Sequence, residues 1–131
     1  VNVSAAFIDR KTVGKYWGMI DKLELANAEF TPYFKNDVAK TDKESVKVSL
    51  FRWPGGDGPV DAVLIVGNLG RNEEIFSLEI DKSKLGADDG ALRFYEYWND
   101  KPLQERELKS LKLPSNHFLL IGMNKNAKDA E

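Results

Sequence analysis

The feature that most constrains this chain is a two-residue alternation of apolar and polar side chains that begins after Ser45. From Val46 to Leu50, every second residue is apolar. Successive side chains of a strand point to opposite faces, so this period predicts a β-strand with one face toward a core. Six turn formers, Pro54 to Pro59, follow directly and predict a hairpin. The face expected to be buried consists of Val46, Val48 and Leu50, opposite Lys47, Ser49 and Phe51.

Four later segments have strand patterns as well. Val60 to Leu69 is almost continuously apolar, which predicts a central strand covered on both faces. Glu74 to Ile80 alternates and is expected to form the next antiparallel partner, and Leu92 to Trp98 also alternates. His117 to Met123 is the last strand. Shorter strands are expected around Leu103, Leu108, Leu111 and Leu113.

Short strands separated by turns rich in Gly, Pro and Asn predict an all-β fold. We expect an antiparallel β-sandwich, immunoglobulin-like or Greek-key, with six to eight strands in residues 46–123. Single helical turns are allowed at Asp81 to Leu85, and residues 124–131 are expected to fray.

The first 45 residues have a different pattern. Apolar residues of Asp9 to Leu25 follow three-and-four spacing, which predicts an amphipathic helix. Lys35 to Ser45 has the composition of an exposed connection. We interpret residues 1–45 as an N-terminal helix and junction segment that packs on the sandwich or on a missing domain.

Composition excludes several function classes. The chain has 131 residues, enough for one domain, and a net charge of −2, which predicts no nucleic-acid partner. No apolar stretch approaches the roughly 20 residues of a membrane span, so no membrane partner is expected. The chain has no cysteine and a single histidine, His117, which excludes thiol nucleophiles and two-histidine metal sites. We therefore expect no metal and no cofactor.

The acidic pairs of the sequence do not have the arrangement of a glycosidase. Glu73-Glu74 and Asp88-Asp89 are adjacent in predicted turns, whereas catalytic carboxylates flank a sugar at a separation of about 5 to 10 Å. His117 has no evident Ser or Cys partner. We predict no catalytic residue in this chain.

A series of segments resembles a known domain. It consists, in order, of Val46-Lys47-Val48-Ser49-Leu50-Phe51, a Gly-rich hairpin, Val63-Leu64-Ile65-Val66-Gly67-Asn68-Leu69, a D-x-x-x-L-G connection at Asp81 to Gly86, Tyr97-Trp98-Asn99-Asp100-Lys101-Pro102-Leu103, and Leu113-Pro114 before Phe118-x-Leu120-Ile121. Together they resemble the C-terminal β-sandwich domain of multidomain bacterial glycoside hydrolases, which follows a catalytic (β/α)8 barrel. Asp100 stands where such domains commonly have a glycine, which leaves the type of this turn open.

The resemblance implies a noncatalytic role beside a barrel of the same polypeptide, in a glycoside hydrolase that works outside the cytoplasm, in the periplasm or secreted. Phe30-Thr31-Pro32-Tyr33-Phe34 also resembles the "PYW" stretch that precedes the sandwich in some of these enzymes. Trp17, Tyr33 and Phe34 are then expected to pack against the neighbouring domain.

Two alternatives stay open at this point. Exposed aromatic rings stack on the apolar faces of sugars, so Trp53, Tyr95, Tyr97 and Trp98 are candidates for a carbohydrate-binding surface. Core packing is the competing interpretation of the same residues. A stand-alone hydrolase is the other alternative, and the single histidine and the lack of a convergent acid pair argue against it.

Overall fold

The structure is a computed structural model that describes residues 18, 19, 21–23, 25–53, 58, 60–85 and 92–124. Within these residues the chain forms ten strands, and every strand pairing is antiparallel. Four 3-10 helices lie among the strands, at Leu25–Asn27, Tyr33–Lys35, Lys82–Leu85 and Glu105–Lys109. The predicted all-β, sandwich-like fold is confirmed. Eight of the ten described strands lie between Val46 and Asn124, in agreement with the six to eight expected there, and two lie before Val46. No helix in the described ranges has the length and apolar character needed to cross a membrane.

Six strands form the main sheet, and the hairpin predicted after Trp53 joins two of them. The pairing of Val46 with Asn68 and of Arg52 with Ala62 sets the register of that hairpin. The spatial order of the sheet is β1 (Glu29–Thr31), β3 (Val46–Arg52), β4 (Ala62–Asn68), β10 (Phe118–Asn124), β7 (Arg93–Glu96) and β8 (Lys101–Leu103).

Two short ribbons form the second layer. One pairs β2 (Ala39–Thr41) with β6 (Leu78–Ile80), and the other pairs β5 (Glu74–Phe76) with β9 (Leu111–Leu113). Their apolar residues share one hydrophobic core with the inner face of the main sheet. This core includes Val46, Val48, Leu50, Leu64, Val66, Phe76, Leu78, Phe94, Leu111, Leu113 and Ile121.

The outer face of the main sheet is also covered near its centre. Val63 of β4 and Leu120 of β10 form a second buried cluster with Met19, Leu23 and Leu25 from the N-terminal segment. Gly18, Met19, Asp21 and Lys22 are helical, which agrees with the end of the predicted helix, and the part of that helix before Gly18 lies outside the described residues. The continuous apolar pattern of β4 therefore corresponds to a strand buried on both faces.

Two buried asparagines connect the layers. Asn68, at the end of β4, donates from Nδ2 to the carbonyl oxygens of Asn72 and Leu113, both at 2.9 Å, while its Oδ1 accepts from the Gly70 N–H at 2.9 Å. The Asn68 side chain therefore satisfies backbone groups of the turn that follows β4. Asn36 donates to the carbonyl of Val48 at 3.0 Å, and its Oδ1 accepts from the N–H of Val38 at 2.9 Å.

Three expectations about local structure are wrong. Glu74 to Ile80 is not one strand paired with β4, because the chain divides at Ser77, whose N–H donates to Asp42 Oδ1 at 2.8 Å. The two halves pair with β9 and β2 instead. Lys35 to Ser45 is not only an exposed connection, since it contains β2 and its Asn36 is buried.

The third error concerns Leu108. It belongs to the 3-10 helix Glu105–Lys109 and not to a strand, and its side chain is buried. The backbone N–H of Gln104 donates to Glu107 Oε1 at 2.7 Å, which stabilises the start of that helix.

Candidate functional site

One row of side chains crosses the outer face of the main sheet. The strand register places Phe30 of β1 beside Phe51, Phe51 beside Val63, and Val63 beside Gly122. Gly122 in turn pairs with Tyr95, and Tyr95 pairs with Pro102 of β8. The middle of this face is covered by the N-terminal segment, so its accessible aromatic residues lie toward the two ends.

The first group, which we call the aromatic patch, consists of Phe30, Tyr33, Phe34 and Phe51. The ring centroids of Phe30 and Phe51 are 4.9 Å apart, and those of Tyr33 and Phe34 are 5.4 Å apart in an edge-on arrangement. Phe30, Tyr33 and Phe34 are 51%, 47% and 70% exposed. The Nζ atom of Lys47 lies 5.2 Å from the centroid of the Tyr33 ring, a favourable cation–π distance.

The second group, the tyrosine site, consists of Tyr95, Tyr97 and Asp100. The two rings are both partly exposed, with centroids 5.0 Å apart and planes tilted by 59°. Tyr97 lies over Gly122, since a Cβ atom built on that glycine would be 2.8 Å from the ring and from its hydroxyl. The glycine in β10 therefore leaves the space in which this ring packs.

The turn between β7 and β8 positions the tyrosine site. Glu96 is buried, and its carboxylate accepts hydrogen bonds from the backbone N–H groups of Trp98 and Asn99 and from the Asn99 side chain. Asp100 has φ 57, in the left-handed region that glycine and aspartate tolerate best. Asp100 therefore has a backbone conformation that a glycine would also favour.

Asp100 also adds a side-chain contact that a glycine could not. Its Oδ1 atom accepts a hydrogen bond of 2.6 Å from the Tyr95 hydroxyl. This bond to a carboxylate raises the pKa of Tyr95, and burial raises the pKa of Tyr97. The Tyr97 hydroxyl makes no hydrogen bond to any residue in the described part of the chain. It is therefore a half-buried polar group available to a ligand.

The other aromatic candidates have different surroundings. Trp53 is only 8% exposed and belongs to the buried cluster over Val63, with Gly58 against its ring. It offers too little ring surface for a sugar to stack on. Trp98 is partly buried and packs against both hydrophobic clusters, and Trp17 lies outside the described residues.

Sequence reasoning placed Tyr95 and Tyr97 on one strand face, and Tyr33 and Phe34 at a junction. It missed Phe30 and Phe51, because only the register of β1 against β3 shows that they are neighbours. It also missed Asp100 as part of a site. The signal for it was an aspartate in a predicted turn after Tyr95, but the register of that hairpin was needed to bring the two side chains together.

The remaining acidic and histidine candidates do not converge. Glu73 is exposed and lies 3.9 Å from the Nζ atom of Lys112, and Asp88-Asp89 falls outside the described residues. His117 is exposed, with Nδ1 2.9 Å from the Ser115 carbonyl oxygen. In the ranges that the structure covers, no cluster of three or more His, Cys, Asp or Glu could hold a metal ion.

A cavity of about 670 Å³ lies on the other side of β7, between β6 and the 3-10 helix Glu105–Lys109. Its lining includes four carboxylates and two lysines, Asp37, Glu79, Asp81, Glu105, Lys40 and Lys109. Two of the acids form ion pairs: Asp37 with Lys84 at 3.0 Å and Glu105 with Lys82 at 2.7 Å. The bond from Lys84 lowers the pKa of Asp37. Two of the four acids are therefore partly neutralised by lysines.

Comparison with known protein families, curated proteins and solved structures finds no match to this chain. The functional interpretation therefore depends on the aromatic patch, the tyrosine site and the resemblance of the sequence segments.

Proposed function

We propose that this chain is a noncatalytic β-sandwich domain that packs, through the aromatic patch, on the catalytic barrel of a glycoside hydrolase within the same polypeptide. The exposure of Phe30, Tyr33 and Phe34 carries the proposal. A cluster of half-exposed aromatic side chains is typical of a surface that is covered in the assembled protein. As the resemblance implies, we expect the parent to function outside the cytoplasm.

The position of the patch supports this role. Tyr33 and Phe34 come from the segment that resembles the exit from a barrel, so the patch lies where the chain is expected to meet its neighbour. Lys47 adds a cation beside the Tyr33 ring, and such a contact becomes stronger when a partner surface excludes water from it. This packing role requires no catalytic residue in the chain itself.

The first test is the reading frame upstream of Val1. A (β/α)8 barrel encoded there is the expected result. The barrel and this domain are then produced as separate chains, and their association is measured by calorimetry. The double variant Tyr33→Ser with Phe34→Ser is expected to weaken association at least tenfold while leaving the fold of the isolated domain intact, because both residues are exposed.

Ile75 provides the matched control. It is 59% exposed but lies in β5 of the second layer, away from the patch. Ile75→Ser is expected to leave association unchanged. An upstream frame without a barrel, or equal association of the wild-type domain and the double variant, would contradict the proposal. Glycosidase turnover by the isolated chain would also contradict it and favour the stand-alone hydrolase.

A further inference from the structure

The tyrosine site combines features that the proposed packing role does not use. Tyr95 and Tyr97 form a tilted pair of partly exposed rings, and Asp100 lies at their edge. Oδ1 of Asp100 is occupied by the Tyr95 hydroxyl, while Oδ2 has no partner among the residues that the structure describes. The site thus offers ring surface, one carboxylate acceptor and one unbonded hydroxyl, that of Tyr97.

These groups match the chemistry of a pyranose ring. A sugar has an apolar C–H face that stacks on an aromatic ring, and adjacent hydroxyls that donate to carboxylates and accept from hydroxyl donors. Alternation along β7 also places the exposed Arg93 on the same strand face as Tyr95. The charges of Asp100 and Arg93 offset each other on this face, which favours a neutral ligand over a cation.

We propose that Tyr95, Tyr97 and Asp100 bind a neutral pyranose unit of a polysaccharide. Tyr95 and Tyr97 supply the stacking surface, and Oδ2 of Asp100 accepts a hydrogen bond from a sugar hydroxyl. The Tyr97 hydroxyl bonds a second oxygen of the same sugar. The Tyr95–Asp100 hydrogen bond holds the ring and the carboxylate in place before the ligand arrives, which lowers the entropy lost on binding.

This site and the aromatic patch use different residues. Tyr95 and Phe30 lie in the same row but four strands apart, a separation of roughly 19 Å at the usual strand spacing. Substitutions in the patch therefore leave the side chains of the tyrosine site in place. The inference does not depend on the proposed packing role, and either can fail while the other holds.

The test uses the full chain and four hexasaccharides: cellohexaose, laminarihexaose, maltohexaose and xylohexaose. Binding is measured by calorimetry and by nitrogen–proton correlation spectra. At least one oligosaccharide is expected to bind saturably and to shift the amide signals around residues 95–100. Tyr95→Ala is expected to weaken that binding about tenfold, the loss of one stacked ring.

Two milder variants keep the test decisive if Tyr95→Ala does not fold. Asp100→Gly preserves the left-handed backbone and removes only the carboxylate, and Tyr97→Phe preserves the ring and removes only the hydroxyl. Each is expected to weaken binding several-fold. Tyr33→Ala, at the opposite end of the sheet, is the control and should leave binding unchanged.

The absence of saturable binding to all four oligosaccharides would overturn the proposal, as would binding that Asp100→Gly and Tyr97→Phe both leave unchanged. Shifts confined to residues around Tyr33 would place the sugar elsewhere and overturn the site. Tetramethylammonium serves as a probe for an aromatic site that binds cations. Tighter binding of this ion than of any saccharide would overturn the assignment of a neutral ligand.

Discussion

The side-chain amide of Asn68 donates a 2.9 Å hydrogen bond to the backbone carbonyl of Leu113 and thereby joins the main sheet to the second layer. Its other two side-chain bonds, with Asn72 and Gly70, close the turn after β4. The residue is fully buried. Its polar atoms are therefore satisfied only by protein groups that would lose their partner if the side chain were removed.

We expect Asn68→Ala to lower the free energy of unfolding by about 3 kcal/mol, because buried backbone groups left without a partner cost about 1 to 3 kcal/mol each. Urea denaturation of the purified chain measures this effect. The control is Asn27→Ala, which removes an exposed asparagine and should change stability by less than about 0.5 kcal/mol. Equal stability of the two variants would show that the Asn68 bonds contribute no net stability.

The Tyr95–Asp100 bond predicts a dependence on alkaline pH. The folded pKa of Tyr95 is raised, so its contribution to stability is fully present below the unfolded value of about 10 and is lost as pH rises through the folded pKa. Burial also raises the pKa of Tyr97. Unfolding followed between neutral and strongly alkaline pH should therefore show stability falling above about pH 10.

The Asp100→Gly variant distinguishes the titration of Tyr95 from that of Tyr97. Without the carboxylate, the pKa of Tyr95 should fall toward its ordinary value, while that of Tyr97 should stay raised, because burial causes its shift. Titration of the tyrosinate absorbance in the wild type, in Asp100→Gly and in Tyr95→Phe assigns each transition. An identical titration in wild type and Asp100→Gly would refute the electrostatic effect of this hydrogen bond.

The N-terminal segment is expected to stabilise the sandwich. Leu23 is buried against the outer face of the main sheet, in the cluster that contains Val63 and Leu120. Leu23→Ala should lower the free energy of unfolding by about 3 kcal/mol, from lost burial and a residual cavity. The neighbouring exposed Lys22→Ala is the control, and thermal or urea denaturation measures both. A loss in Leu23→Ala no greater than in Lys22→Ala would mean that the contact does not contribute to stability.

The parts of this fold that could be predicted are those with long patterns. Seven alternating or apolar residues identify β3 and β4, and the unbroken apolar run of β4 indicates burial on both faces. It does not indicate what covers them, and for Trp53 the sequence left core packing and carbohydrate binding as alternatives. The period of apolar side chains shows which face of a strand is buried. The residues that pack on that face depend on contacts between segments distant in sequence.

The strands of the two ribbons were harder to predict because a three-residue strand is too short to show the alternation of apolar and polar side chains. The alternation continues through Ser77 without a break in pattern, although the hydrogen bond to Asp42 ends one strand and begins another there. In the candidate sites, too, some features follow from the side-chain pattern and others depend on turn geometry. The shared face of Tyr95 and Tyr97 follows from alternation, but the contact of Tyr95 with Asp100 depends on a four-residue turn whose geometry is determined by the buried Glu96.

The glycine beneath Tyr97 provides the last prediction. A methyl group at position 122 would lie 2.8 Å from the Tyr97 ring, closer than side chains tolerate, so Gly122→Ala must displace that ring. The expected cost is about 1 to 3 kcal/mol, as for other overpacked sites. Gly18→Ala is the matched control, because a methyl group at this exposed helical position meets nothing within 4 Å and should stabilise the chain by up to about 1 kcal/mol. Denaturation of both variants, with the tyrosine ring signals followed by proton spectra, measures the effect. Unchanged Tyr97 signals in a fully stable Gly122→Ala protein would contradict the packing of this ring on β10.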